Sequence, residues 1–178
     1  MAAPDHGLRT ALLAEIPAAE PVVGRYRARL DATTALGVPA HVTILVPFVP
    51  VSRLGTAELT RLGTLLAAVP AFDVRLDHTD WFGTSVLWLG PQDPAPFRDL
   101  TARVFAAFPD YPPYEGRFAD VAPHLTVGED GPLDEMRRAE AAIAGRLPIV
   151  DRVTTVTLLA ESSRGGRWQT VASFPVGF

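Results

Sequence analysis

Two short segments of the chain nearly repeat each other, and they constrain its fold more than any other feature. Residues 39–46 read Pro-Ala-His-Val-Thr-Ile-Leu-Val, and residues 122–128 read Ala-Pro-His-Leu-Thr-Val-Gly. The alternation of polar and aliphatic residues predicts a β-strand in each segment. Because side chains two residues apart on a strand point to the same side, each histidine shares a face with the following threonine. The fold must therefore bury the aliphatic side of both strands and leave the His-x-Thr sides to line a polar surface or cleft.

The spacing of apolar residues predicts similar elements around both His-x-Thr strands. Helices are predicted at about residues 18–30, 56–69, 93–108 and 132–147. Further strands are predicted at about residues 8–14, 72–76, 85–89, 149–160 and 167–176. Each half of the chain then reads helix, loop, His-x-Thr strand, helix and hairpin. We therefore predict a single bilobal domain over residues 1–178, with approximate halves 1–92 and 93–178 related by duplication about a pseudo-two-fold axis.

The composition excludes several classes of protein. The chain has no cysteine, which removes disulfides, thiolate catalysis and cysteine-based zinc sites. Its formal net charge is −4 and all sixteen basic residues are arginines, so we expect no extended surface for long nucleic acids. No apolar run approaches the ~20 residues of a membrane span, and residues 1–7 do not resemble the start of a signal peptide. We therefore expect a globular, cytoplasmic protein that does not enter a membrane.

If the two His-x-Thr faces meet, His41, Thr43, His124 and Thr126 line one cleft. Two histidines, one neutral and one protonated, can serve as general base and general acid on opposite sides of a reacting phosphorus atom. The two threonine hydroxyls can donate hydrogen bonds to the non-bridging phosphate oxygens, where negative charge builds up in the transition state. This chemistry requires no metal ion.

Other interpretations of the histidines compete with catalysis. A single histidine on a strand is more often structural, and we interpret His6 and His78 in this way. A zinc site would need a third ligand; Glu129 and Asp130 follow the second motif, but no carboxylate follows the first. Two of the four histidines lie in matched settings, which favours catalysis. The alternatives are a non-catalytic nucleotide-binding module and a structural protein with an incidental motif.

At these motifs the chain resembles the 2H phosphoesterase superfamily, in particular its bacterial 2′-5′ RNA ligase or RNA 2′,3′-cyclic phosphodiesterase group. The resemblance rests on residues 39–48, on Tyr-Pro-Pro-Tyr-Glu-Gly-Arg-Phe at 111–118, and on residues 123–128. It implies an α+β fold in which two antiparallel sheets surround a central cleft and helices pack on the outside. It also implies an RNA-processing hydrolase that needs no metal or cofactor and acts on 2′,3′-cyclic phosphates or 2′-5′ linkages. The resemblance further implies that the reaction is reversible, so that the enzyme can also act as a ligase.

Carried over residue by residue, the resemblance assigns catalysis to His41, Thr43, His124 and Thr126, with His124 as base and His41 as acid in hydrolysis. Aromatic side chains that could stack on a nucleobase are candidates for substrate binding, namely Phe48, Tyr111, Tyr114 and Trp168. Arginines that could hold phosphate are further candidates, namely Arg117, Arg164 and Arg167. Ordinary packing and solvated surface charge are the competing interpretations of these side chains. We expect a monomer whose substrate is a small nucleotide or a short RNA end with a cyclic phosphate.

Overall fold

Two four-stranded antiparallel sheets form the frame of the molecule in a computed structural model, which describes residues 7–177. The first sheet contains β1 (Thr10–Glu15), β2 (His41–Leu45), β7 (Thr155–Glu161) and β8 (Trp168–Pro175), in the spatial order β2-β1-β7-β8. The second contains β3 (Phe72–Phe82), β4 (Val86–Pro91), β5 (Leu125–Glu129) and β6 (Ile149–Val153), in the order β5-β4-β3-β6. The expected α+β fold with two antiparallel sheets is confirmed.

The helices are α1 (Glu20–Leu30), α2 (Ala32–Ala35), α3 (Thr56–Ala67), α4 (Ala95–Ala107) and α5 (Leu133–Ala144). The four long helices agree with the predicted ranges to within three residues at each end. Asp93 accepts a hydrogen bond from the backbone N–H of Ala95 at 3.0 Å and thereby satisfies a free donor at the start of α4. Each long helix buries an apolar stripe in the common core, namely Val23 and Leu30, Leu62 and Leu66, Leu100 and Val104, and Met136 and Ile143. None of the helices within residues 7–177 is long and apolar enough to cross a bilayer.

The two His-x-Thr strands occupy equivalent places in the fold. β2 lies at the edge of the first sheet beside β1, and β5 lies at the edge of the second sheet beside β4. Two series of elements correspond to each other along the chain, β1-α1-β2-α3-β3 and β4-α4-β5-α5-β7. The last strand of each series lies in the other sheet. There β3 pairs with β4, and β7 pairs with β1. Each sheet therefore contains strands from both halves of the sequence. The division into halves 1–92 and 93–178 stays a prediction.

The stretch predicted as one strand at 149–160 is two strands in two sheets. β6 ends at Val153 and pairs with β3, whereas β7 begins at Thr155 and pairs with β1 and β8. Val153 and Val156 are both buried, so the apolar pattern continues across the crossing and conceals it. The local pattern reports burial, but the choice of sheet depends on backbone partners that are distant in sequence.

The strand predicted at 72–76 continues to Phe82. Exposed polar side chains such as Asp80 interrupt the apolar signal over the second half of β3, although the backbone pairs with β4 as far as Phe82 and Val86. The predicted hairpin turn contains Gly83 with φ of 57°, a conformation that glycine adopts at little cost. The added length of β3 brings Phe82 to the space between the sheets.

Candidate active site

The His-x-Thr sides of the two sheets border one cavity of about 720 Å³. On the first sheet, Thr43 of β2 lies opposite Leu13 of β1, and both side chains line the cavity. On the second sheet, Thr126 of β5 lies opposite Trp88 of β4. The cavity is lined by all four side chains of the two motifs, His41, Thr43, His124 and Thr126. The fold therefore brings together residues that are far apart in the sequence.

The ring of His41 is oriented by two hydrogen bonds. Its Nδ1 lies 2.7 Å from the carbonyl oxygen of Pro39, which can only accept, so Nδ1 carries the proton. Its Nε2 lies 3.2 Å from Oγ1 of Thr43. In the neutral ring, Nε2 accepts from the Thr43 hydroxyl, and this nitrogen is the one that can take up a proton in the cavity.

The ring of His124 has a matching hydrogen bond but a different neighbourhood. Its Nδ1 lies 2.7 Å from the carbonyl oxygen of Ala122. Phe82 packs edge-on against the imidazole with ring centroids 4.8 Å apart, and Trp88 lies at 5.9 Å. Phe82 and Trp88 are themselves stacked at 4.9 Å. An aromatic wall on the second sheet therefore supports His124, whereas polar contacts support His41.

Burial lowers the pKa of both histidines. For His41 the pKa falls from 6.5 to about 4, mainly because of burial, and the positive charges of Arg27 and His124 lower it further. The Pro39 carbonyl and the Asp31 carboxylate act in the opposite direction without cancelling the shift. For His124 the pKa is also lowered by burial, against the effect of its hydrogen bond to Ala122. Both rings are therefore mainly neutral in the free protein at neutral pH.

A buried ion pair lies behind His41. The Arg27 side chain is 1% exposed, and its Nη2 lies 3.0 Å from Oδ2 of Asp31, one helical turn further along. The same Nη2 donates to the carbonyl oxygen of Val38 at 3.2 Å, and Oε1 of Glu20 accepts from the backbone N–H of Ala40 at 2.7 Å. These bonds hold residues 38–40, which lead directly into His41. The Arg-x-x-x-Asp spacing is a sequence signal for a helical ion pair, but it does not reveal that the pair is buried beside the site.

Of the predicted aromatic candidates, Tyr114 and Trp168 line the cavity. The backbone N–H of Tyr114 donates to the carbonyl oxygen of Val46 at 2.7 Å. Tyr114 has a φ of 51°, in the left-handed region that is costly for a bulky residue, and this conformation places its ring beside β2. Burial raises the pKa of Tyr114, while a hydrogen bond with Thr43 opposes the rise. Trp168 is held by its backbone N–H, which donates to the carbonyl oxygen of Leu36 at 2.7 Å.

The structure places the other two aromatic candidates elsewhere. Phe48 is 2% exposed and packs edge-on against Phe108 at 4.9 Å in the core. Tyr111 packs against Phe48 at 6.2 Å. Phe48, Tyr111 and Arg164 border a separate cavity of about 850 Å³. These aromatic rings therefore contribute to packing and to a neighbouring cavity and do not line the one that holds the histidines.

The remaining candidates also lie outside the lining of the histidine cavity. Arg117 is exposed and pairs with Glu115 at 2.6 Å, and Arg167 is not among the lining residues.

His78 is half exposed, with its Nδ1 2.7 Å from the Asp77 carboxylate, and His6 lies outside the described residues. Within residues 7–177, no group of three or more histidine, aspartate or glutamate side chains could hold a metal ion.

Sequence reasoning missed several residues that line the cavity. The charged ones are Arg9, Asp120 and Glu129, and the aromatic ones include Phe82 and Phe118. Alternation along β1 could have indicated that Ala11 and Leu13 share a face, but not that this face borders the site. Glu129 was considered only as a metal ligand, because it follows the second motif directly. These residues line the cavity because the two sheets face each other, and no local sequence pattern encodes that arrangement.

The comparison with known families agrees with this geometry. The sequence matches the model of the 2′-5′ RNA ligase superfamily over residues 14–165. The chain belongs to this superfamily. The resemblance to 2H phosphoesterases, inferred from the paired motif, is thereby confirmed. No curated protein matches the sequence significantly.

Several solved structures share the fold of this superfamily member over almost its whole length. E. coli LigT complexed with 3′-AMP is 19% identical, with 95% of this chain and 98% of that chain covered and a TM-score of 0.60. E. coli LigT complexed with NADP+ is 20% identical, with 97% and 99% covered and a TM-score of 0.59. TT0787 of Thermus thermophilus is 18% identical, with 94% and 97% covered and a TM-score of 0.63. At these identities the similarity establishes the common fold.

Proposed function

We propose that this 2′-5′ RNA ligase superfamily member is a metal-independent phosphodiesterase that hydrolyses a 2′,3′-cyclic phosphate, or a 2′-5′ linkage, on a small nucleotide or short RNA end. The observation that carries the proposal is the convergence of two imidazoles and two threonine hydroxyls in one cavity, with the same Nδ1 hydrogen bond on each ring. The structure of E. coli LigT complexed with 3′-AMP supports a nucleotide as the ligand of this fold. A cytoplasmic location and a monomeric state stay predictions.

In the proposed reaction, the cyclic phosphate lies between the two rings. Thr43 and Thr126 donate hydrogen bonds to its non-bridging oxygens and stabilise the charge that builds up there. One histidine takes a proton from a water molecule whose oxygen attacks the phosphorus. The bond from phosphorus to one ribose oxygen breaks, and the other histidine gives its proton to that oxygen. The product is a ribose monophosphate. Ligation follows the same proton transfers with a ribose hydroxyl in place of water: its oxygen attacks the phosphorus, the ribose 3′ oxygen leaves with the proton, and a 2′-5′ linkage forms.

The surroundings of the two rings favour His41 as base and His124 as acid, which reverses the assignment that the resemblance implies. Arg27 lies buried behind His41 and disfavours a positive charge on that ring. Burial lowers the pKa of His124 as well, but no neighbouring cation within residues 7–177 adds to that shift. When one proton is shared between the two histidines, it is therefore more stable on His124. The neutral His41 is then available to accept the proton from water.

The proposed function is tested by a hydrolysis screen of 2′,3′-cyclic nucleotides, 2′-5′ dinucleotides and short RNAs ending in a cyclic phosphate. We expect the wild type to turn over at least one class in the presence of a chelator. His41→Ala and His124→Ala should each lower kcat by about 10²–10⁴-fold, with circular dichroism to check that the variants fold. Full activity in either variant, or loss of activity on chelation, would contradict the mechanism. Binding of nucleotide monophosphates without any turnover would favour a non-catalytic module.

The acid–base assignment has a test of its own. A nucleoside p-nitrophenyl phosphodiester releases a leaving group that needs no proton, so the acid becomes dispensable on this substrate. We expect His124→Ala to lose much less activity on this ester than on the cyclic phosphate, whereas His41→Ala should lose activity on both. The opposite pattern would restore the assignment implied by the resemblance.

A further inference from the structure

We propose that Arg98 binds the 5′-phosphate of the nucleotide that carries the cyclic phosphate, in a small cavity beside the two histidines, and that Asp120 holds Arg98 when this phosphate is absent. The inference rests on the proposed function, because the small cavity shares Thr43 and His124 with the proposed active site. It assigns a second phosphate subsite and a residue that distinguishes an RNA end from a nucleoside cyclic phosphate, neither of which the paired motif supplies.

The small cavity has a volume of about 250 Å³ and adjoins the larger one. The residues that border both cavities include Thr43, Tyr114, Asp120 and His124. Arg98 borders only the small cavity, whereas His41 and Thr126 border only the larger one. Pockets that enclose a whole drug-sized ligand occupy about 300–1,000 Å³, so the small cavity suits a phosphate group better than a second nucleoside. It lies to one side of the reacting phosphate, where a neighbouring group of the same substrate would fit.

Arg98 is held beside β2 by its own helix. One turn further along α4, the hydroxyl of Thr101 donates to the carbonyl oxygen of Ile44 at 2.8 Å and fixes the helix against this edge strand. Residues three apart on a helix share a face, so Arg98 projects from the same face as Thr101. Ile44 directly follows Thr43 in β2. The Arg98 side chain therefore borders the same small cavity as Thr43.

The ion pair that Arg98 forms with Asp120 is weak and replaceable. Nη2 of Arg98 lies 3.4 Å from Oδ2 of Asp120, and the two side chains are 48% and 77% exposed. An exposed pair of this kind contributes little to stability, because water screens it. A phosphate can accept two parallel hydrogen bonds from one guanidinium, which is a stronger contact than a single long one. A phosphate in the small cavity would therefore displace the Asp120 carboxylate from Arg98.

The other charged groups around the two cavities leave Arg98 as the available cation. Arg9 borders the larger cavity, but its Nε and Nη2 donate to Oε1 of Glu161 at 3.0 and 2.5 Å, and the Glu161 side chain is 1% exposed. Recruiting Arg9 to a phosphate would leave a buried carboxylate unpaired, which is costly. Glu129 is exposed and borders only the larger cavity, so water and salt screen its repulsion of a phosphate beside Arg98.

The covalent structure of the substrate identifies the second phosphate. A 2′,3′-cyclic phosphate lies on one ribose, and the next phosphate along an RNA chain is the 5′-phosphate of that same ribose. In an RNA end this group is the phosphodiester to the preceding nucleotide, and in a nucleoside cyclic phosphate it is absent. A phosphate subsite that adjoins the reacting phosphate therefore corresponds to the 5′ position. Through this subsite, Arg98 favours RNA ends.

The test compares three adenosine 2′,3′-cyclic phosphates that differ only at the 5′ position: a free hydroxyl, a methyl phosphate and a sulfamoyl ester. The methyl phosphate stands for the phosphodiester of an RNA chain, and the sulfamoyl ester has a similar size without the charge. We expect the methyl phosphate to raise kcat/KM by about tenfold over the free hydroxyl at low salt, as hydrogen bonds between charged groups would. The gain should shrink at high salt, where charges are screened, and the sulfamoyl ester should gain much less.

Substitutions at Arg98 and Asp120 should change this gain in opposite directions. Arg98→Gln removes the cation, so the methyl phosphate should lose most of its advantage over the free hydroxyl. Arg98→Lys keeps the charge without the paired donors and should keep part of the gain. Asp120→Asn removes the competing carboxylate and should increase the gain by about two- to fivefold. An ion pair with only a structural role would instead lower activity in both variants alike, on all three substrates.

Two residues of the same helix provide matched controls. Arg103 and Asp99 are exposed on α4 and border neither cavity. Arg103→Gln and Asp99→Asn change the net charge by the same amounts as the test variants, so they report any non-specific electrostatic effect. They should leave the ratio between the substrates unchanged, and circular dichroism should show that all the variants fold.

Calorimetry separates failure of this inference from failure of the proposed function. If the wild type hydrolyses no cyclic phosphate, the proposed function fails, but the subsite is still tested by binding of adenosine 2′-monophosphate against adenosine 2′,5′-bisphosphate. Tighter binding of the bisphosphate at low salt, abolished in Arg98→Gln, supports the inference. Equal or weaker binding of the bisphosphate, no binding of either ligand, a sulfamoyl ester as good as the methyl phosphate, a gain that survives Arg98→Gln, or a smaller gain in Asp120→Asn overturns it.

Discussion

His41 and His124 are held by the same contact, because the Nδ1 atom of each ring lies 2.7 Å from the carbonyl oxygen two residues upstream. The acceptors are Pro39 and Ala122, so the residues just before each motif determine the tautomer of each imidazole. Both rings therefore present Nε2 for proton transfer. Beyond this contact their surroundings differ, with a buried cation behind His41 and an aromatic wall beside His124.

The stability of the protein should fall in mild acid because of His41. Burial lowers its pKa from 6.5 to about 4, so between these pH values the unfolded chain binds a proton that the folded chain does not. The free energy of unfolding therefore decreases as the pH falls from 6.5 to about 4, by up to about 3 kcal/mol. Urea denaturation over this range measures the slope, and His41→Asn should reduce it. An NMR titration midpoint near 6.5 for His41 in the folded protein would contradict the prediction.

Removal of Arg27 should destabilise the fold and raise the pKa of His41. Arg27→Met leaves the buried Asp31 carboxylate without its cation, and such a loss costs about 3–5 kcal/mol. We expect the His41 NMR titration to move toward its ordinary pKa in the same variant, because the cation that lowers the pKa is gone.

Two further variants control the Arg27 experiment. Arg27→Met combined with Asp31→Asn should recover part of the stability, since the unpaired charge is then removed. Arg29→Met on the same helix affects an exposed pair with Glu135 and should change stability by less than about 1 kcal/mol. An Arg27→Met protein as stable as the wild type would show that the pair does not support the site.

The two threonine hydroxyls should contribute to catalysis through hydrogen bonds that a methyl group cannot make. Thr43→Val and Thr126→Val keep the shape of the side chain, and each should lower kcat/KM by about tenfold to a hundredfold. The larger loss is expected for Thr43, whose hydroxyl also contacts Nε2 of His41. Serine at either position should restore most of the activity. Steady-state kinetics that show no difference between valine and serine would argue against this role.

Phe82 should position His124 without contributing much to stability. The side chain is 37% exposed, so Phe82→Ala removes little buried surface, but it removes the edge-on contact at 4.8 Å. We expect a lower kcat/KM and a His124 pKa that moves toward its ordinary value as water enters. Phe105→Ala is the matched control, because Phe105 is equally exposed and lies on α4 outside the cavity. Identical kinetics in the two variants would contradict the positioning role.

The sequence alone predicted the parts of this protein that local periodicity encodes. Each long helix carries an apolar stripe, and each motif alternates His and Thr with aliphatic residues such as Val42 and Leu125, which are fully buried. These patterns were sufficient for the four helices and for most strands, and the two His-x-Thr motifs with their flanking residues carried the resemblance to the family. The pairing of the two motifs across the cavity also followed, because their repetition implied equivalent places in the fold.

Only the tertiary structure decided what surrounds the two motifs. Pairing between distant strands splits residues 149–160 between two sheets, extends β3 to Phe82 and places Phe48 in the core. It also buries Arg27 behind His41 and brings Glu129 to the end of the cavity near Thr126. Burial and through-space charge depend on contacts between segments far apart in the chain. For this reason the sequence identified the two histidines, while the three-dimensional packing made their environments different.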